Sequence, residues 1–290
     1  PMKPVAIVGG GLAGLACART LHAAGIDFLL FEASDRVGGR LKTDIVDGFV
    51  VDRGFQVHFD AYPNAAKILD QDALDLRPFR SGAMIREGSR WHVIDRARPF
   101  ATLGSGAFGL ADKLRTARFA LRTVGMSDEE IRSMPDMTAE EDLRRMGFSD
   151  RYVDLFCRPF LGGIFLDRSL ATSRRQFRWV WKYLAKGRTV LPADGIEAIP
   201  LQLVAPLPPH RVLTHAPVAS VSEAGVRLTS GEGYDASRVV MAADFATAAR
   251  LTGLPVPQGR NGSTQFVFET ERPPYEGGYI GLNGDGGLIN

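Results

Sequence analysis

The segment 4–32 combines a short apolar run, glycines at GxGxxG spacing, an apolar helical pattern and a second apolar run that ends at Glu32. The two runs, 4–8 and 28–31, are rich in β-branched or aromatic residues, which is typical of buried parallel strands. Gly25 follows the helical pattern at the position where a left-handed residue most easily ends a helix. We therefore predict a βαβ unit and an α/β fold.

The glycines of this turn suit a phosphate-binding function. Gly9 permits a tight turn, Gly11 lets the backbone approach a pyrophosphate, and Gly14 allows close packing of helix and strand. The first-turn N–H groups around Leu12 and Ala13, together with the helix dipole, stabilise bound phosphates. We therefore predict that these five residues bind a dinucleotide.

Glu32 lies 18 residues after Gly14, near the spacing of a carboxylate that accepts the adenosine ribose hydroxyls. A carboxylate there repels a 2′-phosphate, which argues against NADP. We place Ala33 in the same site. These features do not separate FAD from NAD, and a purely structural glycine turn is the other interpretation.

The stretch 32–40, Glu-Ala-Ser-Asp-Arg-Val-Gly-Gly-Arg, separates the two dinucleotides. It resembles the E-x5-GGR continuation of the flavin amine oxidase, protoporphyrinogen oxidase and phytoene desaturase superfamily. The resemblance implies FAD, with Arg40 near its pyrophosphate and Gly39 leaving room for the cofactor. A guanidinium suits a phosphate because it donates in a bidentate fork. The alternative is a generic glycine turn with a solvated arginine.

The resemblance also implies a fold, a Rossmann-like FAD-binding domain with an interleaved α+β substrate domain. We assign 1–65 and 188–254 to the FAD-binding domain, and 66–187 and 255–290 to the substrate domain. Members of the superfamily close the FAD-binding domain with a further strand, a Gly-Asp pair and a helix. Nothing matches that ending, and Gly284-Asp285 reads as a turn, so we expect the carboxyl-terminal part of this domain to be missing.

Asp52-Arg53-Gly54 resembles the superfamily segment that passes near the flavin ring, so Gly54 is assigned to the cofactor site. Gln56 and His58 follow it, and His58 is the candidate for proton transfer because its charge changes near neutral pH. A lone histidine is more often a hydrogen-bonded structural residue. The residue at Val218 matches one that meets the adenine through its backbone, so a side-chain change there is expected to matter little.

Periodicity and turn signals predict the remaining elements. In the helical segment 111–124, apolar positions recur at Leu114, Ala117, Leu121 and Val124, with arginines on other faces. Thr138 opens a short helix with a capping-box pattern. Hairpins are predicted at 43–52 and 81–94, helices at 149–156, 172–186, 195–204 and 246–251, and strands at 211–214, 218–221, 225–229, 238–242, 265–269 and 279–282.

Composition narrows the function classes. The 290 residues are 45% hydrophobic and 23% charged, with a net charge of +2, which is ordinary for a globular protein and a poor match to nucleic-acid binding. Cys17 and Cys157 lack metal-ligand spacing and read as reduced thiols, so we expect a cytoplasmic location. No metal site is predicted. Arginines between Arg77 and Arg122 leave an anionic membrane surface open as a partner.

We therefore expect an FAD-dependent oxidoreductase (an oxidase, dehydrogenase or desaturase) that acts on a small hydrophobic amine or polyene-like substrate. The aromatic middle region favours such a substrate. A flavin-dependent isomerase of the same fold and a non-catalytic FAD- or lipid-binding protein stay open as alternatives. An NAD-dependent dehydrogenase is disfavoured by Gly38-Gly39-Arg40. The oligomeric state is left undetermined.

Overall fold

A computed structural model describes residues 3–95, 97, 104–257, 259, 261–272 and 277–286. The chain divides into two compact units. The first unit comprises 1–56, 63–76 and 191–260, and the second comprises 57–62, 77–190 and 261–290. The division into FAD-binding and substrate domains stays a prediction, because compactness alone does not assign a ligand to a unit.

A four-stranded parallel sheet forms the centre of the first unit, in the order β10-β2-β1-β14. Its strands are β1 (Val5–Val8), β2 (Phe28–Phe31), β10 (Val212–Leu213) and β14 (Arg238–Met241). Alternate residues of β1 enter two cores, Ala6 and Val8 on one face and Ile7 on the other. Burial on both faces explains the continuous apolar runs in the sequence.

Helix α1 (Leu12–Ala23) follows β1, and Gly25 lies beyond its end at φ +67°. The predicted βαβ unit is thus confirmed. The hairpin of β3 (Thr43–Val46) and β4 (Phe49–Asp52) turns through Asp47 and Gly48, both at positive φ, as a tight two-residue turn requires. The unit also contains α2 (Ala65–Ile68), α9 (Ala198–Val204), α10 (Phe245–Thr252) and the meander β11 (Val218–Ser222), β12 (Gly225–Leu228) and β13 (Gly233–Asp235).

In the second unit, three strands form a sheet in the order β15-β7-β8 against a helical layer. These are β7 (Gly82–Glu87), β8 (Arg90–Asp95) and β15 (Ile280–Asn283). The short strand β5 (His58–Phe59) pairs with the start of β9 (Thr189–Pro192). Another short strand is β6 (Leu76–Pro78), and the helices are α3 (Leu110–Gly125), α4 (Asp128–Ser133), α5 (Ala139–Arg145), α6 (Asp150–Tyr152), α7 (Arg158–Phe165) and α8 (Arg174–Lys186).

Two sequence-based expectations for the second unit are wrong in part. Residues 265–269 form no strand, and Phe266 and Phe268 in that segment are exposed. The helix predicted at 149–156 continues to Phe165 through a π-helical turn (Val153–Cys157). The helix predicted at 111–124 is confirmed as α3, and its leucines point away from the core because Phe119 and two polar side chains occupy its buried face.

The predicted turn at 284–285 and the strand near 279–282 are confirmed. That strand pairs in parallel with β7, from Ile280 opposite Ala83 to Asn283 opposite Arg86. The capping box at Thr138 is also confirmed, and a second one opens α4 at Ser127. Among the residues that the structure describes, no helix has the length and apolar character needed to cross a membrane.

Candidate cofactor site

The turn between β1 and α1 has no space for side chains at two of its glycines. Gly9 has φ +111°, and a Cβ there would lie 2.8 Å from the carbonyl oxygen of Ala242. A Cβ at Gly14 would overlap the carbonyl oxygen of Gly9. Both positions therefore need glycine, one for conformation and one for close packing.

The amino terminus of α1 is built to leave its N–H groups available. Gly11 is the N-cap, with extended backbone, and no side chain in the described residues caps the helix. Leu12 and Ala13 occupy the first turn, where N–H groups have no intrahelical acceptor. A helix start with this arrangement attracts an anion through its free N–H groups and its dipole.

Glu32 is held rigidly at the carboxyl end of β2. One carboxylate oxygen accepts the backbone N–H of Gly10 at 2.8 Å, and the other accepts the N–H and hydroxyl of Ser34 at 2.8 and 2.7 Å. A carboxylate has about four acceptor positions, so these three bonds leave capacity for a ribose hydroxyl. The glycine turn and the acidic end of β2 therefore form one site.

The loop carrying Gly38, Gly39 and Arg40 lies against the glycine turn. The N–H of Gly38 donates to the carbonyl of Gly10 at 2.8 Å, and a Cβ at Gly39 would lie 3.2 Å from the Cα of Gly11. Arg40 is exposed, and among the described residues its side chain has no hydrogen bond or ion pair. An exposed guanidinium on a loop that contacts the amino-terminal turn of α1 suits an anionic pyrophosphate.

A buried network of hydrogen bonds fixes the loop that carries Gly38, Gly39 and Arg40. Glu197, 8% exposed, accepts hydrogen bonds from Arg36 Nε at 2.6 Å and from the N–H of Thr43 at 3.0 Å. The hydroxyl of Thr43 donates to the Asp52 carboxylate at 2.6 Å. The same carboxylate accepts the N–H of Ile196 at 2.9 Å. Both ends of the loop 36–43 are thereby fixed to the segment 195–197.

Sequence reasoning missed the role of Glu197. It lies far along the chain from Arg36, and spacing carries no signal over such a separation. The one available signal was a glutamate beside the apolar helix α9. The hydrogen bond from Arg36 to Glu197 raises the pKa of the Arg36 guanidinium, so the guanidinium stays protonated throughout the physiological range.

Gln56 links the segment after β4 to the same loop. Its side-chain amide donates to the carbonyl of Arg40 at 2.8 Å and to that of Arg53 at 3.1 Å. Gly54 has φ +94° with open space where a side chain would be, so the turn exposes backbone there. Within the first unit, these bonds place Gly54 and Arg40 in the same stretch of surface.

The segment 215–218 runs beside the end of β2. His215 N–H donates to the Ser34 carbonyl at 2.8 Å, and Ala216 N–H donates to the Glu32 carbonyl at 2.9 Å. Ala33 is exposed between these two bonds, whereas Val218 is 6% exposed and part of a core. Val218 therefore lies two residues after Ala216, whose N–H bonds to Glu32. The side chain of Val218 packs into the core.

His58 belongs to the second unit and is buried. It pairs with Val190 through β5 and β9, and its Nε2 has no hydrogen-bond partner among the described residues. Burial lowers the pKa of His58, with Asp60 opposing the shift. The imidazole is thus neutral near pH 7, and Nε2 can still donate or accept one hydrogen bond.

The fold and geometry of the first unit define a dinucleotide-binding protein of the βαβ type, in which a glycine turn, an acidic strand end and a free arginine converge. The chain matches the family model described as flavin containing amine oxidoreductase over residues 12–272. It therefore belongs to that family of FAD-dependent oxidoreductases, which confirms the cofactor and the class of protein expected from the sequence.

The chain is also similar to curated proteins. The carotenoid phi-ring synthase of Streptomyces griseus is 29% identical over 281 residues, covering 85% of this chain and 53% of the relative. Protoporphyrinogen oxidase 2 (chloroplastic/mitochondrial) of Arabidopsis thaliana is 28% identical over 169 residues, covering 56% of this chain and 32% of the relative. The chain thus spans about half the length of the first relative and a third of the second.

Solved structures agree on the fold. A double mutant of putrescine oxidase superposes with a TM-score of 0.66 at 22% identity, covering 89% of this chain and 62% of the other. An oxidoreductase from Methanosarcina mazei gives a TM-score of 0.68 at 18% identity, covering 87% and 61% of the two chains. These matches confirm the α/β flavoprotein fold.

Proposed function

We propose that this chain binds FAD in the first unit and belongs to an oxidoreductase that acts on a hydrophobic, polyene-like substrate. The observation that carries the binding part is the unpaired Arg40 beside the amino terminus of α1, with Glu32 fixed at the neighbouring strand end. Glu32 would hold the ribose, while Arg40 and the first-turn N–H groups would hold the pyrophosphate.

Bound flavin would supply the acceptor for a hydride from a carbon–hydrogen bond of the substrate. The chain's own residues contribute rigidity. Glu197 and Arg36 hold the loop, and Gln56 holds the backbone of Arg40, so the site is arranged before the cofactor arrives. Such preorganisation reduces the entropy lost on binding.

The substrate class is supported by the relative that covers most of this chain, which is named for a carotenoid product. An aromatic group in the second unit is compatible with a flat apolar molecule. Tyr62 stacks on Trp179 with ring centres 5.1 Å apart, and Tyr183 packs beside both. Burial raises the pKa of Tyr62 to about 12, so its hydroxyl stays neutral. A hydrophobic amine is the second candidate substrate, and a polyamine oxidase that matches over 50 residues supports the oxidation of an amine.

We propose His58 as a neutral proton-transfer or hydrogen-bonding group for the substrate. The support is its buried Nε2, which has no partner among the described residues. If His58 transfers a proton, His58→Gln should flatten the pH profile of kcat while leaving the flavin Kd unchanged. An unchanged profile would assign His58 a structural role.

The test of cofactor binding is a visible absorption spectrum of the purified chain after incubation with FAD and removal of unbound flavin. We expect a retained flavin spectrum, a Kd at least ten times weaker in Arg40→Ala, and partial recovery in Arg40→Lys. Arg250→Ala, at an exposed arginine on α10, is the matched control. Failure of the wild-type chain to retain flavin would overturn the proposed cofactor site.

The test of activity is anaerobic incubation of the flavin-loaded protein with polyenes and with amines. Bleaching by a polyene with formation of a new double bond supports the proposal. If only amines bleach the flavin, the proposed activity would be amine oxidation instead. A rearranged substrate without net oxidation would indicate an isomerase, and no change with any substrate or reductant would indicate a non-catalytic binding protein.

We also infer a reducing compartment, the cytoplasm. Both cysteines are free, and Cys157 is 1% exposed in an apolar core where burial raises the pKa of its thiol. Such a thiol is a packing group and resists oxidation because it is not ionised.

A further inference from the structure

Within the second unit, the inner face of helix α3 carries one aromatic and two polar buried side chains. Phe119 stacks on Phe177 of α8 with ring centres 5.3 Å apart and also contacts Trp181. Asp112, 4% exposed, accepts the hydroxyl of Ser149 at 2.6 Å and its N–H at 3.0 Å. These contacts fix which side of the helix faces inward.

The outer face of α3 is apolar. Leu110, Leu114, Leu121 and Val124 are 65%, 62%, 78% and 37% exposed, and Ala117 between them is exposed too. At about 100° per residue these five positions fall within a stripe about 80° wide. The stripe runs about 21 Å along the helix axis. A continuous exposed apolar stripe of this kind marks an interaction surface.

Basic side chains border the stripe on the same helix. Arg118 and Arg122 are exposed along one edge, with Arg115 half-buried behind them. Lys113 lies towards the other edge, where its Nζ donates to the carbonyl of Ser105 at 2.8 Å. Asp112 is the single acidic residue of α3, and it faces inward. The outer face of α3 therefore combines apolar and positive groups and carries no carboxylate.

Acidic residues follow the end of α3, but they have partners within the unit. Asp128 accepts Lys182 Nζ at 2.6 Å, Glu129 pairs with Arg132, and Glu130 closes the capping box of α4 with Ser127. The positive edge of the stripe is thus left without a carboxylate from its own helix, apart from the buried Asp112 beside Arg115.

We propose that this face of α3 docks the protein on an anionic lipid membrane, with the helix lying in the plane of the interface. Leucines enter the acyl boundary while Arg118 and Arg122 reach up to lipid phosphates, as long basic side chains do at interfaces. The exposed Arg118 and Arg122 beside the stripe favour an anionic lipid surface over a neutral apolar partner, because they attract negatively charged headgroups. Docking uses no residue of the cofactor site, so it stands or falls independently of flavin binding.

The experiment is flotation of the chain with vesicles of phosphatidylglycerol and phosphatidylcholine in equal parts, compared with pure phosphatidylcholine. We expect binding to the mixed vesicles that weakens with added salt. Leu114→Glu/Leu121→Glu should weaken it on the order of 100-fold, because two leucines lose their apolar transfer. Arg118→Gln/Arg122→Gln should weaken it about 30-fold, from two lost basic contacts.

Matched controls change the same chemistry elsewhere. Leu201→Glu alters an exposed leucine of α9, which has no basic residue, and Arg238→Gln/Arg250→Gln removes two exposed arginines of the first unit. Both should bind like the wild type. Far-UV circular dichroism checks folding, and the glutamine variant keeps the test valid if the glutamate variant unfolds.

Three results would overturn the proposal. The first is no flotation, or equal flotation with both vesicle types. The second is binding to mixed vesicles that the α3 variants leave unchanged. The third is concentration-dependent dimerisation without lipid that the leucine variants abolish, which would identify the stripe as a contact between two copies of this chain.

Discussion

Glu197 in the first unit and Asp142 in the second are both buried carboxylates that accept hydrogen bonds from arginine. Glu197 joins the start of α9 to the loop that ends in Thr43. Asp142 joins two helices of a core, since Arg178 of α8 donates to it at 2.7 and 2.9 Å. A buried carboxylate–arginine pair therefore fixes a loop of the candidate cofactor site in the first unit, whereas it joins two helices of the core in the second unit.

The two networks also differ in charge balance. Asp142 is 2% exposed and lies between two buried guanidinium groups, those of Arg178 and Arg174. Arg178 also lies over the ring of Phe119 at 5.4 Å, which offsets part of the excess positive charge. Arg36 is a third exposed and reaches solvent. Loss of the carboxylate should therefore cost more in the second unit.

The largest effect is expected from Asp142→Ala. It leaves two buried guanidinium groups without a counter-ion, which should lower the free energy of unfolding by about 3–5 kcal/mol. Urea unfolding followed by tryptophan fluorescence measures it, because Trp91, Trp179 and Trp181 all lie in the second unit. The flavin Kd should not change. A large change in flavin affinity would show that the two networks are not separate.

Glu197→Ala should lower the free energy of unfolding by less than Asp142→Ala does, and it should also weaken flavin binding. Two hydrogen bonds to a carboxylate are lost, partly compensated by water at Arg36, so the cost should be about 1.5–3 kcal/mol. The flavin Kd should weaken at least tenfold because the loop carrying Arg40 is released. Glu197→Gln should lie between alanine and the wild type. A loss of stability with an unchanged flavin Kd would contradict the positioning role.

Val218→Ala tests whether the Val218 side chain contributes to stability alone or also to flavin binding. The side chain is 6% exposed in a core, so its truncation should cost roughly 1–2 kcal/mol. The family resemblance implies that Val218 meets the adenine through its backbone, so the flavin Kd should stay within about twofold of wild type. Isothermal titration with FAD and urea unfolding give both quantities. A strong loss of affinity would assign the side chain to the adenine site.

The smallest effect concerns pH and the second unit. Because burial lowers the pKa of His58 below its ordinary value of 6.5, protonation favours the unfolded chain. Stability should fall as the pH drops from about 6.5 to the lowered pKa, and this group contributes no further loss below it. The wild-type and His58→Gln curves of unfolding free energy against pH should therefore diverge there. Parallel curves would mean that His58 is solvated.

Much of the first unit could be predicted from the sequence. The strand 28–31, the helix after Gly11 and the hairpin at Asp47-Gly48 lie where the patterns put them. Their signals are local, because glycine conformations and apolar runs act over a few residues. The candidate cofactor residues follow a motif, so Gly9, Glu32 and Arg40 could be named before their geometry was known.

Other features could not be predicted in this way. Apolar spacing identified α3 as a helix but not the direction of its leucines, because the alternative inner face is held by Phe119 and by Asp112 bound to Ser149. The apolar run within 265–269 resembled a strand, yet no partner in the described residues pairs with it. A strand needs a neighbour, which no local pattern supplies.

The βαβ turn, the cofactor and the class of protein could be predicted from local sequence, because they depend on glycine conformations and a motif contained within forty residues. Which groups complete the candidate site and which surface is left apolar depends instead on how the chain packs in three dimensions. Glu197 meets Arg36 across a long stretch of chain, and α3 turns its leucines outward. Both outcomes follow from packing between distant segments, where the free energy depends on which buried polar groups find partners.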